Sequence, residues 1–246
     1  MSGVGIMFHQ MRFDVRAQLR NPPVVFFGLA LPVLFLLIFG TIFGQAAASA
    51  ATFIPGITAL GIVSTTFVNL AIGLTIQRES GLLKRLRATP LPLGAFMFGR
   101  VGVQVGFAFL ITAVLVLVGV LAFGASFPAA AIGPTVIVVS VGAASFACLG
   151  IALSAVIPNG DAAPAIANLV ALPLYFISGV FFPVSSAPAW LTAIADVFPV
   201  KHLAQALVAG FDGAGVAWGE LGLVAIWGVA AVLFALRFFR WSPGRD

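Results

Sequence analysis

Charge is what this sequence has least of. Asp, Glu, Lys and Arg make up 8% of the 246 residues, against about 25% in an average soluble domain. No charged side chain lies between Arg20 and Arg78 or between Arg100 and Asp161, and a third gap runs from Glu220 to Arg237. A charge at the centre of a membrane-spanning helix costs roughly 2.5 to 3.5 kcal/mol, so gaps this long mark an integral membrane chain. Each of the first two accommodates two apolar spans of about 20 residues with a turn between them, and the third accommodates one. A hydrophobic fraction of 61% and a mean hydropathy of +1.17 agree.

Other shortages exclude chemistry. Cys148 is the single cysteine, so no intrachain disulfide forms and a metal centre is disfavoured. A phosphate-binding loop needs Gly-Lys followed by Ser or Thr. The two lysines, Lys84 and Lys201, follow Leu83 and Val200, so the motif is absent. No HExxH motif, carboxylate pair or Ser/His/Asp set puts a nucleophile beside a base, which argues against an enzyme. His9 and His202 read as a surface and an interfacial residue rather than ligands. Ion-driven carriers place ionisable groups at mid-membrane, and no span here carries one near its centre. The spans leave no stretch long enough for a separate soluble domain. The sequence pI of about 10.7 does not point to nucleic acid, because the basic residues flank spans, where they act as topology signals.

What is present is a series of apolar runs. The expected spans are 24–44, 54–76, 98–122, 132–157, 162–182 and 220–240, an all-α integral membrane fold of six transmembrane helices in one domain, 1–246. Residues 4–20 predict an amphipathic interfacial helix: Val4, Phe8, Met11, Val15 and Leu19 share one arc, and His9, Arg12, Arg16 and Arg20 share the next. The run 24–43 followed by "GQAAASA" imitates a cleaved leader, but it is longer than a signal peptide's apolar core and no secreted domain follows. The links "QAAASAAT" and "FGASFPAA" suit tight turns. Residues 183–219 are broken by Pro183, Pro188 and Pro199 and charged at Asp196, Lys201 and Asp212, so they predict two short re-entrant or interfacial outer helices rather than a seventh span. With six spans, eleven of the 12 Lys and Arg residues share the side of both termini, and only Lys201 lies opposite. The positive-inside rule then makes both termini cytoplasmic. Trp190, Trp218 and Trp241 fall near the expected interfaces.

The densest charge lies in "IQRESGLLKRLRATPLP", residues 76–92, inside the expected cytoplasmic loop 77–97. On a helical projection Leu82, Leu83 and Leu86 form a ridge surrounded by Lys84, Arg85 and Arg87, suited to lipid headgroups or to a groove on a partner. Thr89 and Pro90 read as the N-cap and first residue of the next helix. Asp161 in "PNGD" reads as a loop cap between spans four and five.

This arrangement resembles the ABC-2 type permeases, the membrane subunits of a class of ATP-binding-cassette exporters. The matching residues are Arg78, Glu79, Gly81, Leu82, Leu86, Arg87, Ala88, Thr89, Pro90 and Leu91, with "RESG" where the family most often reads R-E-x-x-G. The leader, the six spans and "FPVKHLAQAL" before the last span extend the resemblance over nearly the whole chain. It implies a multi-pass subunit in a bacterial plasma membrane, paired with a second copy or a paralogue and carrying two ATP-binding-cassette ATPase subunits. On that basis the chain binds no cofactor, and ATP and Mg sit on the ATPase. Contact with it is assigned to Arg78, Glu79, Gly81, Leu82, Leu83, Arg85, Leu86, Arg87, Thr89 and Pro90, with Asp161 as a second contact.

In the family the second and fifth spans line the central interface. This singles out Thr65, Asn69, Tyr175 and Ser178 for a substrate path, with Phe176 as an aromatic wall. Small polar residues in spans also serve simple helix packing. The expected cargo is an amphipathic drug, natural product or lipid. Alternatives are a polysaccharide or glycolipid exporter of the same family and a non-transporting membrane scaffold.

Overall fold

A computed structural model describes residues 22–43, 47–87, 93–178 and 189–239, together with Val15, Gln18 and Arg20. The expected leader 4–20, the first part of 183–219, Thr89, Pro90 and Trp241 therefore lie wholly or mostly outside the described residues. All regular structure among the described residues is helical.

Helix α1 covers residues 22–43 and contains a π-helical stretch, Phe26–Ala30. Helix α2 covers residues 47–79 and contains another, Ser64–Asn69. After them come α3 (Leu82–Arg87), α4 (Leu93–Phe123), α5 (Ala129–Val156) and α6 (Ala163–Ile177), then α7 (Ala189–Ala195), α8 (Pro199–Phe211) and α9 (Trp218–Phe238). By length and composition Phe53–Glu79, Phe96–Phe123, Ala129–Val156 and Trp218–Phe238 can each cross a membrane, while Gly28–Ile42 and Ala163–Ile177 are shorter apolar helices. The expected turn "QAAASAAT" is mostly helical: α2 starts at Ala47, because the run of alanines strongly favours helix.

Two helices organise the rest. Helix α5 packs against α2, α4, α8 and α9, and α2 packs against α1, α4, α6 and α8 as well. The neighbours come close because α5 presents small residues to them. A Cβ on Gly228 of α9 would lie 2.5 Å from Ser145 Oγ, and one on Gly142 would lie 2.5 Å from Leu203 Cδ1 of α8. At Gly150 the approach is backbone to backbone, with a Cβ falling 2.8 Å from the Phe67 carbonyl oxygen and 3.0 Å from that of Thr66. Helices in lipid gain little from hydrophobic association, so such close packing carries much of their attraction.

The Thr66 and Phe67 carbonyls belong to the π-helical stretch of α2, whose wide turn disturbs the regular ladder. Threonine hydroxyls accompany it. Thr65 Oγ1 donates to the Gly61 carbonyl at 2.8 Å, and Thr66 Oγ1 donates to that of Ile62 at 2.7 Å. Thr58, Thr75 and Thr112 donate in the same way to carbonyls four residues back. These hydroxyls are thus satisfied within their own helices, at the cost of local bending.

Helix α8 is wedged among α2, α5 and α9, and its Lys201 and His202 are buried. Pro199 opens the helix at a position that needs no amide hydrogen. Partners make the burial affordable: Lys201 Nζ pairs with the Asp196 carboxylate, and His202 Nδ1 lies 2.5 Å from Glu220 Oε2. His202 Nε2 sits 2.8 Å from the Asp196 carbonyl oxygen. Both ring nitrogens thus lie within hydrogen-bond distance of oxygen atoms. Neither partner could be identified from the spacing of α8 alone.

Two outcomes follow for the detergent-solubilised chain. Gly150→Ala lowers stability by about 1 to 3 kcal/mol, whereas Gly133→Ala, which meets nothing within 4 Å, leaves the melting temperature unchanged or raises it. Glu220→Leu lowers the melting temperature, and adding His202→Leu recovers part of the loss, since leaving the buried imidazole without its half-buried partner costs more than replacing both.

Candidate coupling site and interhelical cavities

The charged stretch begins in the last turn of α2, where three successive side chains reach three different elements. Gln77 Oε1 accepts from Arg100 Nη2 of α4, whose guanidinium also lies 5.3 Å from the centre of the Phe96 ring. Arg78 is buried: Nη1 donates to the Ser154 carbonyl at 2.8 Å, and Nη2 donates to the carbonyls of Ile157 and, at 3.3 Å, Pro158. Glu79 Oε2 accepts the Gly160 backbone N–H at 2.6 Å.

The local sequence prepares this arrangement. The α5 cap, Ile157, is extended and Pro158 follows, so the last carbonyls of the helix lack intrahelical donors. A cation there both satisfies them and complements the negative end of the helix dipole. Gly160 leaves room for the carboxylate, because a Cβ at that position would collide with Glu79 Oε2.

Gly81 has φ +73°, the left-handed conformation that ends α2, and its carbonyl accepts the Arg85 N–H at 3.1 Å to start α3. The leucine ridge expected on α3 is split. Leu83 is fully buried in a cluster with Leu70, Leu74, Phe96 and Met97, while Leu82, Lys84 and Arg85 are exposed. Leu86 and Arg87 belong to α3 by backbone, but their side chains lie outside the described set. Asp161 is exposed and is not the loop cap, a role filled by Asn159, whose Oδ1 accepts the Ala162 N–H at 2.8 Å. Gln77, Arg100, Asn159 and Gly160 were not singled out by sequence. The available signal was Arg100, a lone arginine at the start of a long apolar run.

Of the residues selected for a substrate path, Thr65 and Asn69 share one small cavity, and Tyr175 is on α6, which packs against the same stretch of α2. Thr65 and Asn69 line that cavity with Gly28, Leu29, Phe107 and Ile111, where the π-helical stretches of α1 and α2 meet. Its volume of about 30 Å³ suits a water molecule but not a drug-sized body. Asn69 Nδ2 has no hydrogen-bond partner there among the described residues. Tyr175 is buried in the core, its hydroxyl also unpartnered among the described residues; Ser178 Oγ donates to the Tyr175 carbonyl at 2.9 Å, and Phe176 is exposed. A larger apolar cavity of about 250 Å³ lies among α2, α5, α6, α8 and α9, lined by Phe67, Phe146, Phe198, Trp227 and Phe234 with neighbouring aliphatic residues.

Comparison with known proteins agrees with this architecture. The family model described as ABC-2 type transporter matches residues 9–211, a range that includes α1 through α8. The daunorubicin resistance ABC transporter permease protein DrrB1 of Streptomyces coeruleorubidus is 28% identical over 200 residues, covering 79% of this chain and 70% of that protein. With long apolar helices, a basic helical turn after α2 and a family match over most of its length, this integral membrane chain belongs to the ABC-2 type transporter family.

Proposed function

We propose that the chain is the membrane-spanning subunit of an ATP-driven exporter in a bacterial plasma membrane, moving an amphipathic drug, natural product or lipid outward. The observation that carries this reading is the match to a drug-resistance permease over 79% of the chain. Helices α1, α2, α4, α5, α6 and α9 serve as the six spans, with both termini cytoplasmic as the basic residues require. Helices α7 and α8 lie toward the outer side.

The chain has no Gly-Lys-Ser/Thr motif, so the energy source is a separate ATP-binding-cassette subunit, which carries the ATP and Mg. Two permease copies, or one copy and a paralogue, pair with two such subunits. The docking face is the exposed side of α3, where Leu82, Lys84 and Arg85 offer an apolar centre with a basic rim. Such a face complements an acidic-rimmed groove. Leu86, Arg87, Thr89 and Pro90 continue the same contact.

The test is reconstitution of the permease with its ATP-binding-cassette subunit in vesicles, using daunorubicin as the probe cargo. ATP-dependent daunorubicin accumulation is the expected result. Leu82→Asp removes both ATPase-subunit binding and transport, because it places a carboxylate at the centre of the docking face. Recruitment and turnover that survive both Leu82→Asp and Leu86→Asp at matched expression would sink the docking assignment. A reporter fused after Asp246 that scores as external would overturn the topology.

A further inference from the structure

Of the charges that open the loop, Arg78 is buried and Glu79, though exposed, is held by a backbone N–H. Gln77, Arg78 and Glu79 occupy one helical turn, and about 100° separates successive side chains, so the three fan out to α4, to the end of α5 and to the 157–160 turn. Arg78 is the centre of the set. Its guanidinium spans carbonyls at positions 154, 157 and 158, holding both the final turn of α5 and the chain that leaves it. The adjacent Glu79 supplies the opposite charge and holds Gly160 on the same turn. Leu83 then fixes α3 to this block from below, buried against residues of α2 and α4. Neither the guanidinium nor the fully buried leucine is available to a partner, whereas Leu82, Lys84, Arg85 and Asp161 are exposed.

We infer that Arg78 and Glu79 are positioning residues that clasp the 157–160 turn to the end of α2, so that the loop 77–87 and the end of α5 move as one rigid body. The inference rests on the proposed function for the source of the motion, but the clasp itself is a property of this chain alone. It changes what the charged stretch does. Force applied to α3 passes directly to α5, the helix against which α2, α4, α8 and α9 all pack. It also carries Asp161 into a fixed relation with Lys84 and Arg85, giving the two cytoplasmic turns a single composite face.

The test uses the full-length chain in vesicles with Cys148→Ser and spin labels on Lys84→Cys and Asp161→Cys. With the clasp intact, the distance between labels is a single narrow distribution. Arg78→Gln broadens it, and Arg78→Lys, which keeps the charge but loses the fork, restores part of the order. Gly160→Ala broadens it as well. That variant acts from the far side of the contact and leaves the loop sequence untouched, so it separates the clasp from any direct effect on a partner. In the complex, Gly160→Ala and Arg78→Gln still co-purify with the ATP-binding-cassette subunit, but daunorubicin-stimulated hydrolysis and transport fall about tenfold, in line with loss of charge-assisted hydrogen bonds.

Two results would overturn the inference. One is Arg78→Gln losing the ATPase subunit as Leu82→Asp does while the label distance stays narrow, which would make Arg78 a direct partner contact. The other is a broadened distance with stimulation unchanged, which would leave the clasp without a role in transmission. If the unaltered complex neither assembles nor transports, the proposed function fails, and the label distances in the isolated chain still decide whether the clasp exists.

Discussion

Close approach of backbones is the constraint on which this structure depends. Lipid chains are as apolar as leucine, so a membrane helix gains little by burying a hydrophobic face and relies on dispersion contacts and hydrogen bonds at short range. Helix α5 meets that requirement with Gly142, Ser145 and Gly150 turned toward three different neighbours. The Phe67 carbonyl against Gly150 is the tightest of these contacts to backbone, and it falls within the wide turn of α2. Packing and irregularity are therefore linked: the glycine on one helix provides the space that the π-helical stretch on the other fills.

Polar groups follow the same economy. The hydroxyls of Thr66 and Thr75 return to carbonyls of their own helix, and Lys201 and His202 of α8 find Asp196 and Glu220 at the ends of neighbouring elements. An amphipathic helix with lysine and histidine can therefore sit in the core without leaving charge uncompensated. The end of α2 uses a variant of this solution, with backbone carbonyls accepting from Arg78.

How much of this was legible depended on the range over which each signal acts. Charge spacing marked the apolar helices, because exclusion of Asp, Glu, Lys and Arg is a local rule that every span obeys independently. Gly81 ends α2 at Glu79 through its own backbone conformation, three residues beyond the expected end of the span at 76, although the sequence marked the glycine only as part of the "RESG" match. The direction taken by Arg78 was not legible, because its acceptors lie 76 to 80 positions along the chain. Leu83 looked equivalent to Leu82 on a helical projection, but only the packing of α2 and α4 distinguishes the buried leucine from the exposed one. The burial of α8 was hidden for a related reason: Glu220, which satisfies His202, belongs to the next helix. The candidate path was legible only as a set of residue types; the burial of Tyr175 and the exposure of Phe176 depend on packing that a single span's sequence does not carry.

The π-helical stretch at Ser64–Asn69 has one further consequence. Each residue advances an α-helix by about 100°, so the wide turn sets the phase between two halves of α2 as the offset of a keyway sets two gears on one shaft. Thr65 is registered to the half before the wide turn, where Gly28 approaches it, and Arg78 is registered to the half after it, where α5 ends. Were the turn to relax into regular helix, the shaft would be out of time: either Thr65 would rotate away from α1 or Arg78 from its carbonyls. The irregular turn is thus the timing element that lets a single helix mesh with two sets of neighbours.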